Sequence, residues 1–191
     1  MPRYAAVLDA CALVPIALAD TLLRLAEKGL YRPLWSERIL TEAQQATEEI
    51  HPGISVDKRY ADIREAFADA LVTGWEPLEH GITLPDADDR HVVAAAIRAG
   101  AQAIVTFNLR DFPAVSLSPL GLEAVGPDAF LLDQLDLSPP TVLQAITEQA
   151  GQTTRPRLCP SELLILLGRA GVPGFAEQLQ RLLDQPIRNA T

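Results

Sequence analysis

The sequence is short of the residues that build several common kinds of site. It has only two cysteines in 191 residues, Cys11 and Cys159, and neither belongs to a CxxC pair or a Cys/His cluster. A zinc site does not fit that pattern, whereas a reducing, cytoplasmic setting does. No apolar run approaches the ~20 residues needed to span a bilayer, so no membrane association is expected. The opening Met-Pro-Arg-Tyr leads straight into a strand pattern, so a secretory leader is not expected either. Basic residues are outnumbered 16 to 25, for a net charge of −9. The chain as a whole therefore lacks the footprint of a non-specific nucleic-acid binder. No GxGxxG follows the first strand pattern, which disfavours a dinucleotide enzyme. Internal repeats and low-complexity tracts are absent.

Apolar residues make up 48% of the chain, enough for a proper core. At about 150 residues per domain, the length suits one domain plus a small appendage. Residues 4–9 read as a buried strand. A helix is expected over 13–28, with Pro15 in its first turn and Gly29 as its stop. A short extended piece, 31–35, precedes a helix over 37–50 capped by Ser36. Ser55 is the expected cap of a helix over 56–70, with Ile63, Ala66, Phe67 and Ala70 inward, and 71–78 looks strand-like but broken by Gly74 and Pro77. A helix over 88–99 closes at Gly100, a strand covers 103–106, and 121–125 reads as a last strand. This alternation predicts an α/β fold with a mainly parallel sheet over residues 1–126. From residue 127 to 191 the pattern is helical only, with helices near 127–136, 139–150, 160–170 and 173–184. This extension is expected to pack on the first part.

Four polar signals fall where a strand ends or a helix begins. They are Asp9, Glu42, the run Asp86-Ala-Asp88-Asp89, and Asn108 with Asp111. Ligands of parallel sheets sit at the carboxyl ends of strands, where Asp9 and Asn108 fall. Each signal has an ordinary alternative. Asp9 could be only a helix N-cap, and Glu42, beside the inward face of Ile39, Ala43 and Ala46, only a solvated glutamate. One or two of the three aspartates suit a helix N-terminus, and Asn108 and Asp111 suit a turn. His91 could support a ligand or face the substrate, but the expected reading is an ordinary packing or surface residue. Taken together, convergent carboxylates bind a hard divalent cation, which makes metal-assisted phosphodiester hydrolysis the leading expectation. Thr106 could orient a neighbouring carboxylate, and Arg38 and Arg110 could meet phosphates. A thiolate at Cys11 is disfavoured by the charge of Asp9.

The segments Leu8-Asp-Ala-Cys-Ala-Leu-Val-Pro15, Trp35-Ser-Glu-Arg-Ile-Leu-Thr-Glu42, Leu84-Pro-Asp-Ala-Asp-Asp-Arg-His-Val-Val-Ala-Ala-Ala96 and Ile104-Val-Thr-Phe-Asn-Leu-Arg-Asp-Phe-Pro113 resemble PIN-domain proteins. The likeness is to the branch of VapC-like toxins of toxin–antitoxin pairs, in the order and spacing of that family, over about residues 1–126. The resemblance implies a PIN-like fold and a Mg²⁺- or Mn²⁺-dependent ribonuclease. On it, Asp9, Glu42, Asp89 and Asn108 match the four catalytic positions. Asp9, Glu42 and Asp89 become metal ligands, with Asp86 and Asp111 as accessory ones. It also implies an RNA substrate, an antitoxin whose basic tail covers the acidic groove, and, as is common in the family, a homodimer. The helical tail resembles an extension carried by some members.

Two other functions compete. One is a non-catalytic PIN-like module that binds or regulates RNA; the filled ligand positions argue against it. The other is a phosphatase with Asp9 as nucleophile. Such enzymes often carry a second Asp two residues on, where this chain has Cys11.

Overall fold

The structure is a computed structural model that describes residues 4–184 apart from Ile54 and Arg155. Four strands form one parallel sheet in the order β2-β1-β3-β4. β1 (Ala5–Leu8) and β3 (Ala103–Val105) occupy its centre and are buried at every position. Helices cover both faces, which is why these strands are unbroken apolar runs rather than alternating ones. β2 (Arg32–Leu34) and β4 (Glu123–Val125) form the edges. An edge is where a strand tolerates a proline such as Pro33.

The connection from β1 to β2 contains α1 (Ala10–Leu13) and α2 (Ile16–Glu27). These are two helices where the sequence predicts one. Pro15 takes the N-cap of α2 instead of entering its first turn, so the chain breaks there. Gly29, at φ 80°, ends the segment as expected. Ser36 caps α3 (Glu37–Ile50) by accepting from the Ile39 N–H at 3.2 Å.

α4 (Asp57–Ala66) does not use Ser55 as its cap, because that hydroxyl donates to the Asp57 carboxylate instead. Residues 68–70 form a separate single 3₁₀ turn, and Ala66 is exposed. The segment 71–78 is not a strand. Trp35 and Leu71 make one isolated parallel bridge, and the chain then enters α5 (Glu76–Glu79), with Pro77 in its first turn. α6 (Arg90–Ala99) closes at Gly100 in the left-handed region, φ 63°. Past β3 a short α7 (Ala114–Leu117) and a 3₁₀ turn (Ser118–Leu120) lead to β4.

The remaining helices are α8 (Pro127–Leu137), α9 (Pro139–Gln152), α10 (Pro160–Arg169) and α11 (Pro173–Asp184). All four begin with proline, whose missing N–H costs nothing at the first helical position. They pack on the sheet domain chiefly through α2 and α9. There Gln149 is buried, its amide donating to the Ala17 carbonyl at 2.9 Å and accepting from the Thr21 hydroxyl at 2.7 Å. Phe130 meets Tyr31 edge-on, with ring centroids 4.9 Å apart. Among the described residues no helix is long and apolar enough to cross a membrane.

Candidate active site

The register of the central strands builds the site. Leu8 pairs with Val105, so the next residues, Asp9 and Thr106, leave the sheet side by side, and the Asp9 N–H donates to the Val105 carbonyl at 3.1 Å. Asp9 is 5% exposed. Its Oδ1 accepts from the Ala10 N–H at 2.7 Å as the N-cap of α1. Its Oδ2 accepts from the Thr106 hydroxyl at 2.7 Å and the Cys11 thiol at 3.1 Å. Each carboxylate oxygen has about two lone-pair directions. Among the described residues, the direction left open is therefore on Oδ1. Thr106 in turn accepts from the Asn108 N–H at 3.0 Å, which brings Asn108 beside the strand end.

Cys11 acts here as a protonated donor. Burial, and after it the charge of Asp9, pushes its thiol up to about 12. The Phe107 N–H donates to its sulfur at 3.3 Å.

Asp89 occupies the N-cap position of α6, yet its side chain makes no capping bond. Its carboxyl is raised to about 6, first by burial and then by the negative charges of Asp9, Asp86 and Asp111. Like charges resist ionisation of one another, so Asp9, Asp86 and Asp111 lie near enough to Asp89 for their charges to add to the effect of burial. Asp86 also shapes the loop before α6, accepting from the Asp88 N–H at 2.9 Å. Asp88 is exposed, as are Asn108 and Arg110 at the rim.

Glu42 stands apart from that quartet. Its Oε1 accepts from Arg38 Nε at 3.0 Å, and its Oε2 lies 3.2 Å from Nε2 of His91. Burial alone pushes the Glu42 carboxyl up, but the hydrogen bonds and charges of His91 and Arg38 outweigh it and hold the carboxyl below its usual range. Glu42 is thus tied to α6 through His91, two residues past Asp89. Arg38, expected to meet phosphate, has several protein partners here. Besides Glu42 it reaches Glu79 at 3.3 Å and the Asp88 carbonyl at 3.4 Å.

Among the described residues no three His, Cys, Asp or Glu side chains gather tightly enough to cage a metal ion. The donor chemistry nevertheless suits a hard cation. It is all oxygen, with the one nearby sulfur held as a thiol. Mg²⁺ usually takes one or two carboxylates and keeps its waters, so a closed protein cage is not required.

Residues 5–110, more than half of the chain, match a family described as PIN domain. Residues 127–181 match one described as VapC50 C-terminal domain. Over 94 residues the chain is 45% identical to the Mycobacterium tuberculosis protein named "Putative ribonuclease VapC50", an alignment covering 49% of this chain and 55% of that protein. The chain thus spans about half the length of the curated relative it matches. No solved structure matches it. The chain belongs to the PIN-domain family.

Proposed function

We propose that this protein is a Mg²⁺- or Mn²⁺-dependent endoribonuclease, the VapC-like toxin of a type II toxin–antitoxin pair, acting in the cytoplasm. One observation carries the reading: Asp9, from the end of β1, and Asp89, from the start of α6, are neighbours in an acidic mouth with Asp86 and Asp111, where burial first and then these three charges raise the Asp89 carboxyl to about 6. Such repulsion is relieved by a cation. Asp9, Glu42 and Asp89 are the residues that would hold it, with Asp86 and Asp111 adding negative charge. The bound ion would lower the pKa of a water to supply the nucleophile and neutralise charge developing on the phosphate.

The rest is work for the chain's own groups. Thr106, Cys11 and the Ala10 N–H fix the Asp9 carboxylate so that Oδ1 is its available oxygen. Asn108 and Arg110 line the approach of the RNA, and Asn108 contributes no charge of its own. An acidic mouth also suits the basic tail of an antitoxin, which would compete with the metal by charge complementarity. A homodimer is part of the same proposal.

Cleavage of a labelled RNA mixture in Mg²⁺ or Mn²⁺ tests this. Asp9→Asn and Asp89→Asn are expected to abolish cleavage while circular dichroism shows both variants folded. Near-normal cleavage by both, in nuclease-free preparations, would remove the assigned site. A wild-type protein that binds RNA but never cuts it would favour the non-catalytic module.

A further inference from the structure

His91 sits in the first turn of α6 and is 1% exposed. One side of its ring is plain packing, since the Trp75 ring centroid lies 5.9 Å away. Its two nitrogens are used unequally. Nε2 is 3.2 Å from Oε2 of Glu42, on a different helix, while Nδ1 is buried with no hydrogen-bond partner among the described residues. In either protonation state the hydrogen that reaches Glu42 is on Nε2. In the neutral ring this makes the tautomer Nε2–H, because an ionised Glu42 can only accept.

Glu42 needs such a donor. Its side chain is about a third exposed, and a free glutamate there would sample several rotamers. Arg38 holds only Oε1, and it does so from the same helix, four residues away. His91 holds Oε2 from α6, the helix that also carries Asp89. With one donor on each oxygen the plane of the carboxylate is set, and each oxygen keeps a lone pair for a ligand.

We infer that His91 is a positioning residue for Glu42, so that α6 supplies Asp89 to the site and at the same time orients the acidic residue contributed by α3. The inference rests on the nuclease reading above.

The test pairs two variants of the full chain. His91→Leu keeps the bulk and removes the donor; His91→Gln keeps an N–H near the place of Nε2. Mn²⁺ binding is read from the electron paramagnetic resonance of the free ion. The His91→Leu variant is expected to bind Mn²⁺ about tenfold more weakly or worse, as supporting partners of metal ligands commonly show, and His91→Gln to stay within about threefold of wild type. RNA cleavage should follow in the same order. A second measurement needs no metal: the ¹⁵N shifts of the wild-type ring at pH 8 should report the Nε2–H tautomer.

Wild-type affinity in His91→Leu would overturn the positioning role and leave the nuclease reading standing. Equal losses in both variants would overturn it too, since any change at a buried site would then suffice. An Nδ1–H tautomer refutes the inference whatever the metal does. Absence of Mn²⁺ binding by the wild-type protein would instead strike the nuclease reading itself, and this inference with it.

Discussion

The ring of Phe107 packs against Gly171, joining the loop after β3 to the turn between α10 and α11. A Cβ built on Gly171 would stand 2.7 Å from Cε1 of that ring, and the glycine has φ 99°. Phe107 lies between Thr106 and Asn108, and its own N–H is bonded to Cys11. The helical extension therefore touches a side chain of the loop that carries Thr106 and Asn108.

Gly171→Ala combines a clash with a backbone conformation that alanine dislikes. It should cost about 1–3 kcal/mol, which is roughly 2–12 °C in melting temperature for a chain of this size. Cleavage should fall more than the stability loss explains, because Phe107 must move. Kinetics at a temperature well below the melting point of the variant separate the two effects.

Thr106→Val is nearly isosteric and deletes the shorter of the two bonds to Oδ2 of Asp9. With the Cys11 thiol as the remaining donor to Oδ2 and the Ala10 N–H still on Oδ1, the Asp9 carboxylate is held less firmly. We expect a loss of about 10–100-fold in Mn²⁺ affinity and a matching loss of cleavage, read by calorimetry and RNA turnover.

The two thiols should differ sharply in reactivity. Cys159 is exposed at the start of α10. Cys11 is half-buried, and burial and the charge of Asp9 push it to about 12, so it is almost wholly protonated at pH 8. Limiting iodoacetamide at pH 8 should label Cys159 first, as peptide mass spectrometry can show. Equal labelling of both thiols would contradict the bonded, protonated Cys11.

Much of this architecture was legible because its signals are local. A run of apolar residues ending in Asp9 marks a central strand and its carboxyl end. Ser36 and Gly100 announce helix ends by their own chemistry. The misread segments are those where tertiary packing decided. Trp75-Glu-Pro-Leu looks like a broken strand, yet Pro77 falls in the first turn of a four-residue helix seated against α6. Pro15 is compatible with a helix start and with a helix break, and only packing chooses between them. Glu42 stands out only faintly by itself, since its helix face reads as a solvated boundary, and the family resemblance gives it most of its weight. The role of His91 depends on a contact across 49 residues, from Glu42 to His91. Its sequence trace is slight: a histidine leading the buried run Val92–Ala96, just past an acidic N-cap.

Asp89 makes the metal-free protein sensitive to pH in a defined direction. Its folded carboxyl titrates near 6, against an ordinary value of 3.8. Between those values the folded protein keeps a proton that the unfolded chain has released. Stability from this group is therefore complete below about pH 4 and is lost as pH rises through 6. Asp89→Asn should raise the melting temperature at pH 7.5 in the presence of a chelator. After discounting for the solvent exposure of the group, the gain is at most about 1 kcal/mol, or about 2–4 °C, and it should vanish at pH 4. With Mn²⁺ the order should reverse: the wild-type protein gains stability from binding above pH 6, where Asp89 is ionised, and the variant gains little. Thermal melts of both proteins at pH 4 and pH 7.5, with and without Mn²⁺, cover all the cases. A gain of equal size at both pH values would mean that something other than the Asp89 charge is being relieved.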